Sequence, residues 1–219
     1  MRITLAALVA VTLATLAVFA LWPQIDLEVA RLFDSADGFA GRSPTGRAIR
    51  GVFRFLPFAV LAVLAALYGL RRRGVVVPYA PTGRALVFLV ATMAIGPGVI
   101  VNLGLKDHAH RPRPVQTIQF GGKFEFRPWY RFDGACEKNC SFVSGEVAEA
   151  FWLVAPASLA PPQARPWTVG AALAFGALTA LLRMAYGGHY LSDVVLAGLL
   201  MLIIVQAARM FFRSRGEPL

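Results

Sequence analysis

The chain reads as an all-α, polytopic membrane protein: one domain over residues 1–219, built as a six-transmembrane-helix bundle. Three observations predict this class. Hydrophobic residues make up 57% of the 219 residues and charged ones only 16%, and the mean hydropathy is +0.60, values outside the range of ordinary soluble domains. A hydrocarbon core about 30 Å thick needs roughly 20 apolar residues per helix, and runs near that length recur along the chain. Basic residues then collect beyond alternate ends of those runs.

The first run, Ile3–Trp22, follows Arg2. It is long for a signal-peptide core and lacks a small-x-small site at its end, so a retained anchor is expected rather than a cleaved leader. Pro23–Arg50 is polar, but Ile25–Phe33 has helical apolar spacing and predicts a short interfacial helix. Val52–Leu70 is the second span, and the turn Arg73–Pro81 leads to the third, Ala85–Leu105. Pro97, between Gly96 and Gly98, is expected to kink that third span. From Lys106 to about Phe142, prolines 112, 114 and 128 and several glycines argue against continuous helix. Ser144–Ala160 and the short Trp167–Leu182, joined by the turn Pro161–Pro166, supply the fourth and fifth spans, and Tyr190–Phe212 the sixth. No repeat, low-complexity region or second domain is evident.

A net charge of +10 suggests nucleic acid at first sight, but the placement of the charges argues against that partner. Arg71, Arg72, Arg73 and Arg84 lie between spans two and three, Arg209, Arg213 and Arg215 follow the sixth, and Arg2 precedes the first. With six spans and both termini in the cytoplasm, all of these fall on the side that the positive-inside rule expects. The outer segment Lys106–Asn139 is also basic, through Lys106, Arg111, Arg113, Lys123, Arg127, Arg131 and Lys138. Topology does not account for that charge, whereas an anionic ligand does. Cys136 and Cys140 lie in this loop and are expected to form a disulfide on an extracytoplasmic face. Free thiols are the alternative; thiol redox catalysis is disfavoured because there is no second cysteine pair to relay electrons.

Three segments carry chemistry: Lys106–Pro114 (KDHAHRPRP), Ser144–Glu146 (SGE) and Arg183–Asp193 (RMAYGGHYLSD). The predicted topology brings all three to one membrane face. His189 and Asp193 are four apart at the start of a helical run and so share a helix face. Asp193 is placed to orient the imidazole, leaving the other ring nitrogen free as a nucleophile. Phosphoryl transfer demands positive charge around the equatorial oxygens, which Lys106, Arg113 and Arg183 can supply. Arg111-Pro112 competes with Arg113-Pro114 for the arginine position. Ser144 and Gly145 stand where a helix begins, so a hydroxyl and free backbone N–H groups can cradle a phosphate.

The spacing Lys-x6-Arg-Pro, Ser-Gly, then Arg-x5-His-x3-Asp resembles the signature of the type 2 phosphatidic acid phosphatase superfamily, in its integral-membrane lipid phosphatase branch. The match covers Lys106 to Asp193, about half the chain. The resemblance implies that Lys106, Arg113, Ser144, Gly145 and Arg183 bind the substrate phosphate. It also implies that His189 forms a phosphohistidine supported by Asp193, with no metal or other cofactor, and that the loop between the third and fourth spans belongs to an extracytoplasmic active site. Three positions depart from the pattern: Val143 stands before Ser144 where the family usually has proline, Leu182 stands before Arg183 where it usually has serine, and Glu146 replaces the family's middle histidine, the expected acid for the leaving oxygen. Glu146 can act as that general acid, or as the salt-bridge partner of a site arginine with His108 or His110 donating the proton.

The segment Asn139–Trp152 further resembles a subgroup of bacterial envelope phosphatases acting on the 1- or 4′-phosphate of lipid A. The aromatics of the outer loop (Phe120, Phe124, Phe126, Trp129, Tyr130 and Phe132) suit a glycolipid headgroup or equally an interfacial belt. Undecaprenyl diphosphate, phosphatidylglycerophosphate and phosphatidic acid are alternative substrates. Lipid-to-lipid phosphotransfer and non-catalytic phospholipid binding are alternative functions. The implied location is the bacterial inner membrane, multi-pass, with the site facing the periplasm.

Overall fold

The structure, a computed structural model, describes residues 4–214; Arg2, Ile3 and Arg215, used in the reading above, lie outside the described residues. Its elements in order are helices α1 (Leu5–Leu21) and α2 (Gln24–Arg31), a two-residue-per-strand hairpin of β1 (Asp34–Ser35) and β2 (Gly38–Phe39), then α3 (Pro44–Arg72) and α4 (Gly83–Met93). After the long outer loop come α5 (Gly145–Trp152), α6 (Val154–Ala157), α7 (Arg165–Ala185) and α8 (Leu191–Ser214). Outside the hairpin the regular structure among the described residues is helical, and the segment between the third long helix and α5 is mostly irregular.

Four helices are long and apolar enough to cross a membrane: Pro44–Arg72, Gly83–Leu105, Arg165–Ala185 and Leu191–Ser214. Leu5–Leu21 and Gln24–Arg31 form a fifth candidate as a pair bent by 86°. In the third predicted span, the helical turns widen over Ala94–Leu105, around Pro97. Pro97 has no N–H to donate to the preceding turn, so the backbone changes its register there. The fourth predicted span is not one helix. α5 ends at Trp152 and α6 begins at Val154, because Pro156 cannot donate to the carbonyl of Trp152 and its ring crowds the preceding turn.

Even so, α5 lies at the centre of the molecule. Val147, Ala148, Ala150 and Trp152 are fully buried, and α5 packs against α3, α7 and α8. The Trp152 indole N–H donates to Leu89 O (3.2 Å) and Thr92 Oγ1 (3.0 Å), tying α5 to α4. α3 is the opposite case: 6% of its most apolar stretch is buried, as expected of a helix whose apolar surface faces lipid.

The site end of the bundle is tied together by a buried ion cluster. Arg111, 1% exposed, donates to Asp26 Oδ2 on α2 at 2.7 Å and to Asp193 Oδ1 on α8. Ser192 adds its N–H to Asp26 Oδ1 (2.8 Å) and its hydroxyl to Asp26 Oδ2 (2.6 Å). The guanidinium lies 4.4 Å from the centre of the Tyr190 ring, and Phe126 meets Tyr190 edge-on at 5.1 Å. Removing one partner of a buried ion pair costs about 3–5 kcal/mol, because the other charge stays buried and unmatched. Asp26→Ala is therefore expected to lower the thermal unfolding midpoint of the protein in detergent markedly. An unchanged midpoint would show that this cluster does not hold α2 in place.

Candidate active site

Lys106 follows the third long helix, Arg113 stands seven residues later in the loop, and Arg183 lies in the last turn of α7. All three line one cavity of about 330 Å³. α3 contributes two further cations, Arg50 and Arg54, and α5 contributes Gly145, Glu146 and Glu149. The lining thus holds five cations against two carboxylates, and such an excess favours a multiply charged anion.

Gly145 opens α5 against this cavity. A β-carbon there would lie 2.6 Å from Asn102 Oδ1 and 3.1 Å from Lys106 Nζ, so a larger residue would push these two side chains away from the helix start. Beside it, Ser144 Oγ is buried with no hydrogen-bond partner among the described residues, as is Arg183 Nη1. Buried polar groups are ordinarily paired. Of these two, the Arg183 donor is at the wall of the basic cavity, where it suits the oxygens of a phosphate, and the Ser144 hydroxyl is buried behind the lining residue Gly145.

Asn139 gathers the loop cations. Arg113 Nη2 donates to its backbone carbonyl at 2.8 Å and to its side-chain Oδ1 at 3.0 Å, and Lys106 Nζ reaches the same Oδ1 at 3.3 Å. Asn139 has φ of +52°, the left-handed region that asparagine tolerates better than most residues. It sits inside the five-residue loop closed by the Cys136–Cys140 disulfide, whose Cα atoms are 5.7 Å apart. Backbone bonds from Cys136 N to His110 O and from Cys140 N to Lys106 O hold this loop along the Lys106 segment.

The competition between Arg111 and Arg113 is resolved by location: Arg113 lines the cavity, whereas Arg111 is enclosed in the ion cluster. His189 is 1% exposed. Its Nδ1 lies 2.7 Å from the carbonyl of Ser141; a carbonyl only accepts, so the proton is on Nδ1 and the lone pair on Nε2. Asp193 Oδ2 is 3.8 Å from Nδ1, beyond hydrogen-bond reach, and instead accepts from Tyr190 N at 2.8 Å and from the Ser141 hydroxyl. The orienting bond expected from Asp193 is thus made by Ser141, with Asp193 holding Ser141 and supplying negative charge nearby.

Glu146 makes ion pairs with two site arginines. Its carboxylate takes Arg50 Nη2 at 2.6 Å and Arg50 Nε at 3.1 Å, and lies 3.5 Å from Arg183 Nε. Neither alternative donor, His108 or His110, lines the cavity; their Nδ1 atoms engage the carbonyls of Gly104 and Cys136. Most of the loop aromatics face inward: Phe120 packs on Phe39, Phe126 on Tyr190 and Trp129 on Phe142. Tyr130 and Phe132 are exposed.

Sequence reading missed Arg50, Arg54, Asn102, Asn139 and Glu149 as cavity residues. The signal for Arg50 was present in Ser43-Pro44, a helix start whose Ser43 hydroxyl caps Gly46 N at 3.1 Å, followed by arginines at 47, 50 and 54 in helical spacing.

Burial pushes His189 down to about 3, with Arg183 and Arg113 acting in the same direction against the pull of Asp193. The imidazole is therefore neutral and nucleophilic at neutral pH. Burial, together with Arg113 and Arg183, lowers Lys106 to about 8. Lys106 carries its charge below that pH and loses it above. Affinity for inorganic phosphate, measured by calorimetry, is expected to fall as pH rises through about 8, and Lys106→Arg should remove that alkaline loss. Opening the Cys136–Cys140 loop with the double serine variant should weaken phosphate binding several-fold at pH 7, through release of Asn139; unchanged affinity would deny the loop this positioning role.

The sequence is similar to those of known proteins. A lipid A 4′-phosphatase of Rhizobium leguminosarum is 35% identical over 209 residues, covering 89% of this chain and 90% of that protein. One from Rhizobium etli is 36% identical, covering 89% and 81%, and one from Francisella tularensis subsp. novicida is 34% identical, covering 84% and 85%. No solved structure matches the chain. The PAP2 superfamily model matches residues 84–216, which include every residue of the three motifs, and the chain belongs to that superfamily.

Proposed function

We propose that this protein hydrolyses a phosphate monoester of lipid A, the 4′-phosphate, at the extracytoplasmic face of a bacterial inner membrane. The observation that carries the reading is the convergence of Lys106, Arg113, Arg183, Arg50 and Arg54 on one cavity, beside a buried histidine whose proton is fixed on Nδ1. The names of the relatives supply the substrate. In this reading the chain crosses the membrane six times with both termini cytoplasmic, and α5 with α6 makes the fourth crossing inside the bundle.

Nε2 of His189 attacks phosphorus while the bond to the sugar oxygen breaks. The five cations stabilise charge on the equatorial oxygens, as phosphoryl transfer requires. The leaving oxygen takes a proton from Glu149. That residue lies three positions after Glu146, one helical turn along α5, and lines the same cavity without an ion pair among the described residues. Glu146 is a positioning residue that fixes Arg50 and Arg183. Water then adds to phosphorus and returns its proton to Glu149; the P–N bond breaks, and inorganic phosphate leaves with His189 regenerated.

Purified protein with EDTA, given bisphosphorylated lipid A, is expected to release one phosphate per lipid, with mass spectrometry assigning the loss to the 4′ position. Faster release from undecaprenyl diphosphate or phosphatidylglycerophosphate would replace the substrate, and release only with an acceptor lipid would make the enzyme a phosphotransferase. His189→Ala should abolish turnover. Glu149→Gln should lower kcat by about 10²–10⁴-fold, the usual contribution of a general acid, whereas Glu146→Gln should act mainly on KM. The reverse pattern would return the proton to Glu146.

A further inference from the structure

The far end of the bundle carries a second basic cavity, of about 360 Å³, between α1, α7 and α8. Arg165 opens α7 and Arg183 closes it; the 18-residue separation puts this cavity about 27 Å from the catalytic one along the helix axis. Its polar lining is Arg165, Arg209, Arg213 and Gln206, with no carboxylate among the described residues. Apolar side chains form the rest, among them buried Leu8 and Val205 and the partly exposed Leu173.

Arg209 and Arg213 are four apart on α8 and so share a face, where like charges repel. Arg165 is held beside them by two bonds to the carbonyl of Ala160, at 3.0 and 3.1 Å. Arg209 Nε is buried with no hydrogen-bond partner among the described residues. The positive-inside rule explains arginines at this end of the helices, but it does not explain why three of them converge on one cavity with a buried, unpaired donor. An anion resolves both the repulsion and the missing acceptor, and the apolar walls fit an acyl chain rising from it.

We propose that this cavity binds an anionic phospholipid of the opposite leaflet, its phosphodiester headgroup between the three arginines and its chain along α1 and α7. Basic pockets between transmembrane helices recognise anionic headgroups in this way, and arginine suits them through its forked donors.

The test uses full-length protein in detergent, titrated separately with dioleoylphosphatidylglycerol, dioleoylphosphatidylcholine and inorganic phosphate. Native mass spectrometry and thermal unfolding are the readouts. Retention of phosphatidylglycerol at least tenfold stronger than of phosphatidylcholine is expected, with a raised unfolding midpoint. Any rise given by inorganic phosphate comes from the catalytic cavity and should survive Arg209→Gln with Arg213→Gln, whereas the rise given by phosphatidylglycerol should not. Arg209→Gln with Arg213→Gln should remove the preference while leaving the midpoint in phosphatidylcholine unchanged. Equal retention of the two lipids by the unmodified protein would overturn the proposal, as would a preference that survives the double variant. The lipid comparison stands even where the variant does not fold.

Discussion

The buried cluster of Asp26, Arg111 and Asp193 is the constraint on which the rest of the site depends. An arginine this deeply enclosed carries a desolvation cost of several kcal/mol, which is offset only when carboxylates and hydrogen bonds surround it. Asp26 comes from α2, Asp193 from α8, and Arg111 from the loop between the third and fourth predicted spans. Three segments far apart in sequence are therefore held in one register by charge, in addition to the apolar cluster in which Val29, Ala109 and Val194 meet. His189, four residues before Asp193 and bonded to Ser141, takes its position from that register. The Ser141 hydroxyl donates to Asp193 while its carbonyl accepts from His189. Asp193 thus influences His189 through Ser141 as well as through its field.

This cluster also explains how two arginines two residues apart can do opposite things. Arg111 has both of its charged partners inside the protein, and nothing is left over for a ligand. Arg113 has carbonyl and amide partners on Asn139 but no carboxylate within ion-pair reach among the described residues. With Lys106 and Arg183 also facing the cavity, its charge is only partly answered. Glu146 neutralises part of the excess, but its bidentate contact is to Arg50. The cavity is consequently strained electrostatically in favour of an anion, and its donors need little reorganisation when one arrives.

Four long apolar helices were legible from run length, and fixed spacing picked out Lys106, Arg113, Gly145 and Arg183, which share the cavity. What was not legible depends on contacts across long separations. Arg50 pairs with Glu146 at a distance of 96 residues, and Asp26 with Arg111 at 85. Spacing alone could not tell Arg111 from Arg113. The polar stretch before Val52 read as connection, although α3 begins at Pro44, because arginines on a helix facing a basic cavity have the same composition as a loop. The unbroken fourth span failed for a local reason: Pro156 was visible, but its effect was outweighed in the reading by the apolar run around it.

The elements bearing the site differ in how firmly they are held, and this divides the labour of phosphate handling. His189 and Asp193 lie at the start of α8, whose first turns are buried and locked to Arg111. Glu146 and Glu149 lie on α5, the most enclosed helix. Arg50 and Arg54 lie on α3, which is exposed along nearly all its length. Chemistry at phosphorus is sensitive to errors of an ångström in the attacking atom, whereas a cation's attraction for a phosphate falls off gently with distance. A rigidly held His189 and a more loosely packed arginine wall are therefore compatible, and Glu146, paired with both Arg50 and Arg183, links α3 to the core. That link accounts for a carboxylate at the position where the sequence pattern leads one to expect a histidine.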